Sequence, residues 1–141
     1  MQIDTSTDFG RRVEQRLRDE PIIWLVTVAP DGTPEPSPVW FHWDGQSVLI
    51  FSRPNVPKVR NIGRAPAVAQ HFDGDGRGGD IVVMTGSAEV LTGGSAPRLV
   101  DLPEYVQKYA RRIEGIGLTP ETMAAAYSVP IRVTPARLRG H

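Results

Sequence analysis

The stretch IIWLVTVAPDGTPEPSPVWFHWDGQSVLIFS, residues 22–52, decides the fold. Residues 22–28 are Ile, Trp, Leu, Val and Thr throughout and read as a strand. Pro30-Asp31-Gly32 is a turn, since Pro presets φ and Gly accepts φ > 0. A second strand is expected over residues 35–43. Pro36 and Pro38 have no N–H for a ladder, so this strand begins at an edge or a bulge. Asp44-Gly45 signals a tight turn, and residues 47–52 supply a third strand. The three are expected to form a meander. Strand alternation puts Trp40 on the opposite face from Phe41 and Trp43. Phe41 and Trp43 read as core. The Trp40 face then needs cover elsewhere, with a partner subunit as one source.

Working outward, residues 6–20 read as a helix capped by Ser6 or Thr7, with Phe9, Val13 and Leu17 in one apolar stripe. Residues 56–63 read as a short helix with Pro57 early and Gly63 at its end. Residues 67–72 are a fourth strand. Residues 80–91 are a fifth, with Gly86 as a bend or a close approach. Helices follow over 102–113 and 119–127, and a last strand over 129–138. Six short strands with turn signals predict a mainly β fold: an antiparallel barrel, closed or partly closed, with peripheral helices.

Composition narrows the function. The 141 residues contain no cysteine, which excludes disulfides, thiolate metal sites and cysteine nucleophiles, and fits a reducing cytoplasm. The formal charge is +0, from 16 basic and 16 acidic residues, which favours neither nucleic acid nor a membrane surface as partner. Residues 1–20 are polar, without the apolar core of a secretory signal, and no apolar run is long enough to span a membrane. His42, His71 and His141 show no ligand spacing, so no metal site is expected. Asp73-Gly74-Asp75-Gly76-Arg77-Gly78 opens like a calcium loop. Arg77 occupies its third ligand position and Met84 replaces its closing Glu, so it reads as a flexible connection.

The charge is uneven. Residues 45–72 hold no Asp or Glu but carry Arg53, Lys58, Arg60 and Arg64. Within them Ser52-Arg53-Pro54-Asn55-Val56-Pro57-Lys58-Val59-Arg60-Asn61-Ile62 runs from a strand end into a helix start. A hydroxyl, a point charge at Lys58, a bidentate fork at Arg60 and the free N–H groups of a helix N-terminus make a phosphate cradle. An ordinary capped helix with a basic surface is the plainer alternative. Pro36 to Phe41 combines prolines and aromatics into a flat wall suited to a ring system.

These segments, in this order, carry a resemblance. Leu25 to Val28, Asp31-Gly32-x-Pro34, Pro38 to Phe41, Ser52 to Ile62, Asp80-Ile81-Val82-Val83-x-x-Gly86 and Arg132-Val133-Thr134-Pro135-x-Arg137 follow one another. The chain resembles the split β-barrel flavin-binding family of pyridoxamine-phosphate-oxidase type, and most of all its actinobacterial branch that uses coenzyme F420, a deazaflavin. The resemblance implies a six-stranded split barrel and a homodimer with a cofactor site at each interface. It implies phosphate contacts from Ser52, Arg53, Lys58, Arg60 and Asn61. Pro38, Val39, Trp40 and Phe41 would flank the ring. Gly78, Gly79, Ile81 and Val82 would approach from the partner chain. The activity implied is hydride transfer from reduced F420 to an activated double bond of a small molecule, with Tyr127 or solvent as proton source. An FMN-dependent oxidoreductase and a non-enzymatic cofactor or haem carrier are the alternatives. The phosphate segment departs from true pyridoxamine phosphate oxidases, which have contiguous Ser-Arg-Lys; here Pro54 follows Arg53 and the lysine comes at Lys58.

Overall fold

The computed structural model describes residues Met1–His141. In chain order they form α1 (Asp8–Asp19), β1 (Ile23–Val28), β2 (Pro34–Val39), β3 (His42–Trp43), β4 (Val48–Ser52), α2 (Pro57–Arg64), β5 (Ala67–His71) and β6 (Val82–Val90). A 3-10 turn (Leu99–Asp101), α3 (Pro103–Gly115), α4 (Pro120–Ala126) and β7 (Val129–Gly140) complete the chain. No helix is long and apolar enough to cross a membrane.

There are seven strands, not six, in one antiparallel sheet of order β2-β1-β5-β6-β7-β4-β3. The expected strand over residues 35–43 is two strands. β2 pairs with β1, while β3 pairs with β4, His42 opposite Leu49. The expected meander is therefore two hairpins at opposite edges of the sheet. Only Trp40 and Phe41 connect those edges. Three residue steps span at most about 11 Å, so the sheet must curl until its edges nearly meet. The result is a half-barrel left open between its edge strands β2 and β3.

The break at Trp40-Phe41 has a local cause. Phe41 is fully buried inside the barrel. Its backbone leaves the ladder, and buried backbone groups need partners. α3 supplies them. The Phe41 N–H donates to the Tyr109 hydroxyl at 3.0 Å, and its carbonyl accepts from Lys108 Nζ at 3.3 Å. Tyr109 in turn donates to the Pro21 carbonyl at 2.8 Å. Trp40 points the other way and stacks on the Tyr109 ring, centroids 4.5 Å apart and planes within 2°. The opposite-face reading of Trp40 holds. Its cover comes from α3 of the same chain.

β4 shows how the two sides pack. All five of its residues are buried. Val48 and Ile50 join the barrel core with Leu25, Phe41, Met84 and Ile131. Leu49 and Phe51 face outward, under Tyr105, Tyr109 and Met123 of α3 and α4. Each such side chain contributes about 1.5–3 kcal/mol of burial. Gly86 is a close approach as expected: a Cβ there would stand 2.2 Å from the Thr134 carbonyl oxygen, where the β6–β7 register steps.

The loop after β5, read from the sequence as a flexible connection, is held by hydrogen bonds and ion pairs. Asp75 accepts the N–H groups of Arg77 and Gly79, and Asp73 accepts Trp24 Nε1 at 3.0 Å. Arg12 and Arg16 of α1 both reach the Asp80 carboxylate, at 2.8 and 3.2 Å. α1, whose Val13 and Leu17 join the barrel core, thereby pins the loop by charge.

Candidate functional site

A cleft of about 310 Å³ opens where the barrel is split. β2 contributes Pro38 and Val39 to it, followed by Trp40; β4 contributes Phe51 and Ser52. Arg53, Val56 and Lys58 come from the β4–α2 turn and the first turn of α2. Ile116, Met123 and Tyr127 close it from the helical side. The β4–α2 turn is made by Asn55 at φ 61, a left-handed conformation that Asn tolerates better than most residues. Val56 then caps α2 without a side-chain bond, and Pro57 takes the first helical position.

The electrostatics single this cleft out. Neither the Arg53 nor the Lys58 side chain makes an ion pair or hydrogen bond within the chain, and no carboxylate lines the cleft. Arg53 lies over the Tyr127 ring, 5.0 Å from its centroid. Burial lowers the pKa of Lys58, a trend that the nearby Tyr127 phenol opposes. Two cations with unspent side-chain donors, one of them half-buried, face the same cleft. A wider concavity of about 1020 Å³ lies beside residues 1–6, but Asp4 and Glu14 line it and no basic side chain does. It suits no phosphate.

Of the thirteen residues singled out in the sequence, six meet here: Pro38, Val39, Trp40, Ser52, Arg53 and Lys58. Ser52 is almost fully buried and spends its hydroxyl proton on the Arg53 carbonyl at 2.9 Å, leaving lone pairs rather than a donor. Arg60 donates to the Asn55 carbonyl at 2.6 Å and so braces the turn. Asn61 is buried and donates to Thr27 Oγ1 at 3.0 Å and Glu35 Oε1 at 3.1 Å, which ties α2 to the sheet. Phe41 belongs to the barrel core. Gly78, Gly79, Ile81 and Val82 lie outside the cleft at the start of β6. There Ile81 exchanges backbone bonds with His141, and Val82 is buried. Within one chain these seven do not join the other six.

Sequence reasoning did not find Phe51, Val56, Ile116 and Met123 as lining. Met123 and Phe51 carry ordinary core signals. Ile116 is 57 % exposed between Gly115 and Gly117, a position without periodicity to mark it.

Lys108 stands behind the wall, with Nζ 3.9 Å from the Phe41 ring centroid. Burial brings its pKa down to about 8, against the pull of Asp19 and Glu20. The unfolded chain then binds more protons than the folded chain between about pH 8 and pH 10, so stability should rise with pH across that window. Above pH 10 it should fall, because burial raises the pKa of Tyr105 and Tyr109 and they keep protons that unfolded tyrosines lose. Urea unfolding at stepped pH checks this, and Lys108→Met should flatten the rise.

The sequence profile of the pyridoxamine 5'-phosphate oxidase family matches residues 9–141. Among curated proteins none matches. Among solved structures, an F420 reductase is 25 % identical with a TM-score of 0.68, over 89 % of this chain and 94 % of that one. An FAD-binding protein from Mesorhizobium loti is 18 % identical with a TM-score of 0.65, over 92 % and 89 %. The haem storage protein HutZ from Vibrio cholerae is 14 % identical with a TM-score of 0.64, over 99 % and 95 %. With 133 consecutive residues matching the family model, this chain belongs to the pyridoxamine 5'-phosphate oxidase family.

Proposed function

We propose that the cleft binds a phosphorylated flavin-type cofactor, coenzyme F420 first and FMN as the alternative, and that the protein is a cytoplasmic F420-dependent reductase. The carrying observation is the pair of unpaired cations, Arg53 and Lys58, facing one cleft with the aromatic wall of Trp40. A phosphate takes the cations and a ring takes the wall. Similarity to an F420 reductase supports the deazaflavin, whose tail adds further acidic groups to suit a segment without carboxylates. When bound, the cofactor supplies a hydride to an activated double bond. The chain orients the ring, excludes water with Ile116 and Met123, and offers the Tyr127 phenol as a proton source for the other carbon. The carrier reading draws on the haem storage relative. It is weaker here because no histidine lines the cleft.

The site is proposed to be completed by a second copy, in line with the candidates at Gly78 to Val82. An apolar groove over β1, β5, β6 and β7, lined by Val26, Val28, Ala67, Ala69 and Ala136, is a face through which two copies would join.

Titration followed by tryptophan fluorescence tests the cofactor. F420 should quench more strongly, and at lower concentration, than FMN. Quenching by FMN alone would remove the F420 reading. If no acceptor oxidises the bound reduced cofactor faster than the free one, the protein is a carrier. Light scattering at micromolar concentration should report a dimer.

A further inference from the structure

β2 reads Pro34-Glu35-Pro36-Ser37-Pro38-Val39, lies at an edge of the sheet and pairs only with β1. An antiparallel ladder exchanges bonds in both directions, and proline has no N–H to give. Glu35, Ser37 and Val39 must therefore turn their N–H and C=O groups toward β1. Neighbouring residues alternate, so Pro34, Pro36 and Pro38 turn theirs to the free edge. That edge displays three carbonyl oxygens and no donor, whereas an ordinary strand edge displays both. Pro38 lines the cleft; Pro34 and Pro36 lie outside it.

A ring that turns its edge toward Pro38 meets an acceptor without a donor beside it. Oxidised flavin has a nitrogen at ring position 5, whose lone pair calls for a donor. The 5-deaza ring has C–H at the same position. A lone pair held against a carbonyl oxygen is unsatisfied and repelled, while C–H against the same oxygen is a weak attraction. We propose that the acceptor-only edge at Pro38 makes this cleft select a 5-deaza ring over a flavin. This deepens, and rests on, the reading of the cleft as a flavin-type site.

FMN and 5-deaza-FMN differ at that one ring position and share the same tail, so they isolate the effect. Titrated into the full-length protein, 5-deaza-FMN should bind at least about tenfold more tightly, the order of one hydrogen-bond mismatch. Pro38→Ala returns an N–H to the edge and should bring the ratio to about threefold or less by tightening FMN. Pro36→Ala makes the same change outside the cleft and should leave the ratio where it was. Both prolines are exposed, and melting curves would check that the variants are folded. Equal affinities in the unaltered protein overturn the proposal, as does a ratio that Pro38→Ala does not move. Either result leaves the flavin-type reading standing. Failure of both compounds and of F420 itself to bind overturns the two together.

Discussion

Lys58→Met should weaken binding of a phosphorylated flavin-type cofactor by about ten- to a hundredfold, the span set by losing a charged hydrogen bond to phosphate. The side chain has no partner within the protein, so its removal breaks no internal contact. Burial already lowers its pKa, so replacing it by an apolar side chain should leave the melting temperature unchanged or raise it. Loss of affinity without loss of stability separates a ligand-facing lysine from a structural one. Arg53→Met should also weaken binding, and its loss should fall as salt is raised. Arg60→Met is the internal comparison. Its guanidinium already donates to the Asn55 carbonyl, so a smaller loss is expected. If Lys58→Met binds as tightly as the unaltered protein, the cleft is not the phosphate site.

Phe41→Ala should cost about 3–5 kcal/mol, the range for emptying a buried aromatic position. At this chain length that lowers the melting temperature by roughly 10–20 °C. The ring is fully buried and lies 5.9 Å from Phe72, tilted by 52°. It also lies under the Lys108 ammonium, which would be left half-buried beside a cavity. Because Phe41 anchors the crossing between β2 and β3, the damage should reach Trp40 and the cleft. Cofactor affinity should therefore fall together with stability, unlike the outcome for Lys58. Phe41→Leu should recover most of the loss. A cost below about 1 kcal/mol by urea unfolding would be a surface-like value and would contradict a core role.

Much of this was legible in the residues. The strands at 22–28, 47–52 and 67–72 carry dense β-formers between turn signals, and the structure has strands there. Pro36 and Pro38 announced an edge, since no central strand can lack those donors, and β2 is that edge. The gap in acidic residues over 45–72 marked a locally basic segment, and two of its cations, Arg53 and Lys58, line one cleft. What failed has a common cause. The split of residues 35–43 into two strands depends on Tyr109 and Lys108, more than sixty residues away, which take over the backbone of Phe41. No local pattern encodes that substitution. Arg60 and Asn61 find their partners nearer in sequence, Arg60 within its own turn and Asn61 on β1 and β2. Their residue types suit phosphate, but the fold brings Asn55, Thr27 and Glu35 within reach first.

Local chemistry by itself thus determined the strands, the turns, the edge and the local excess of basic residues, because propensity, proline geometry and charge act over a few residues. Tertiary structure alone decided that the sheet curls and stays split. It alone decided which cations are left without partners and that helices α3 and α4 supply one wall of the cleft. Those outcomes depend on which distant groups compete for the same backbone and side-chain donors.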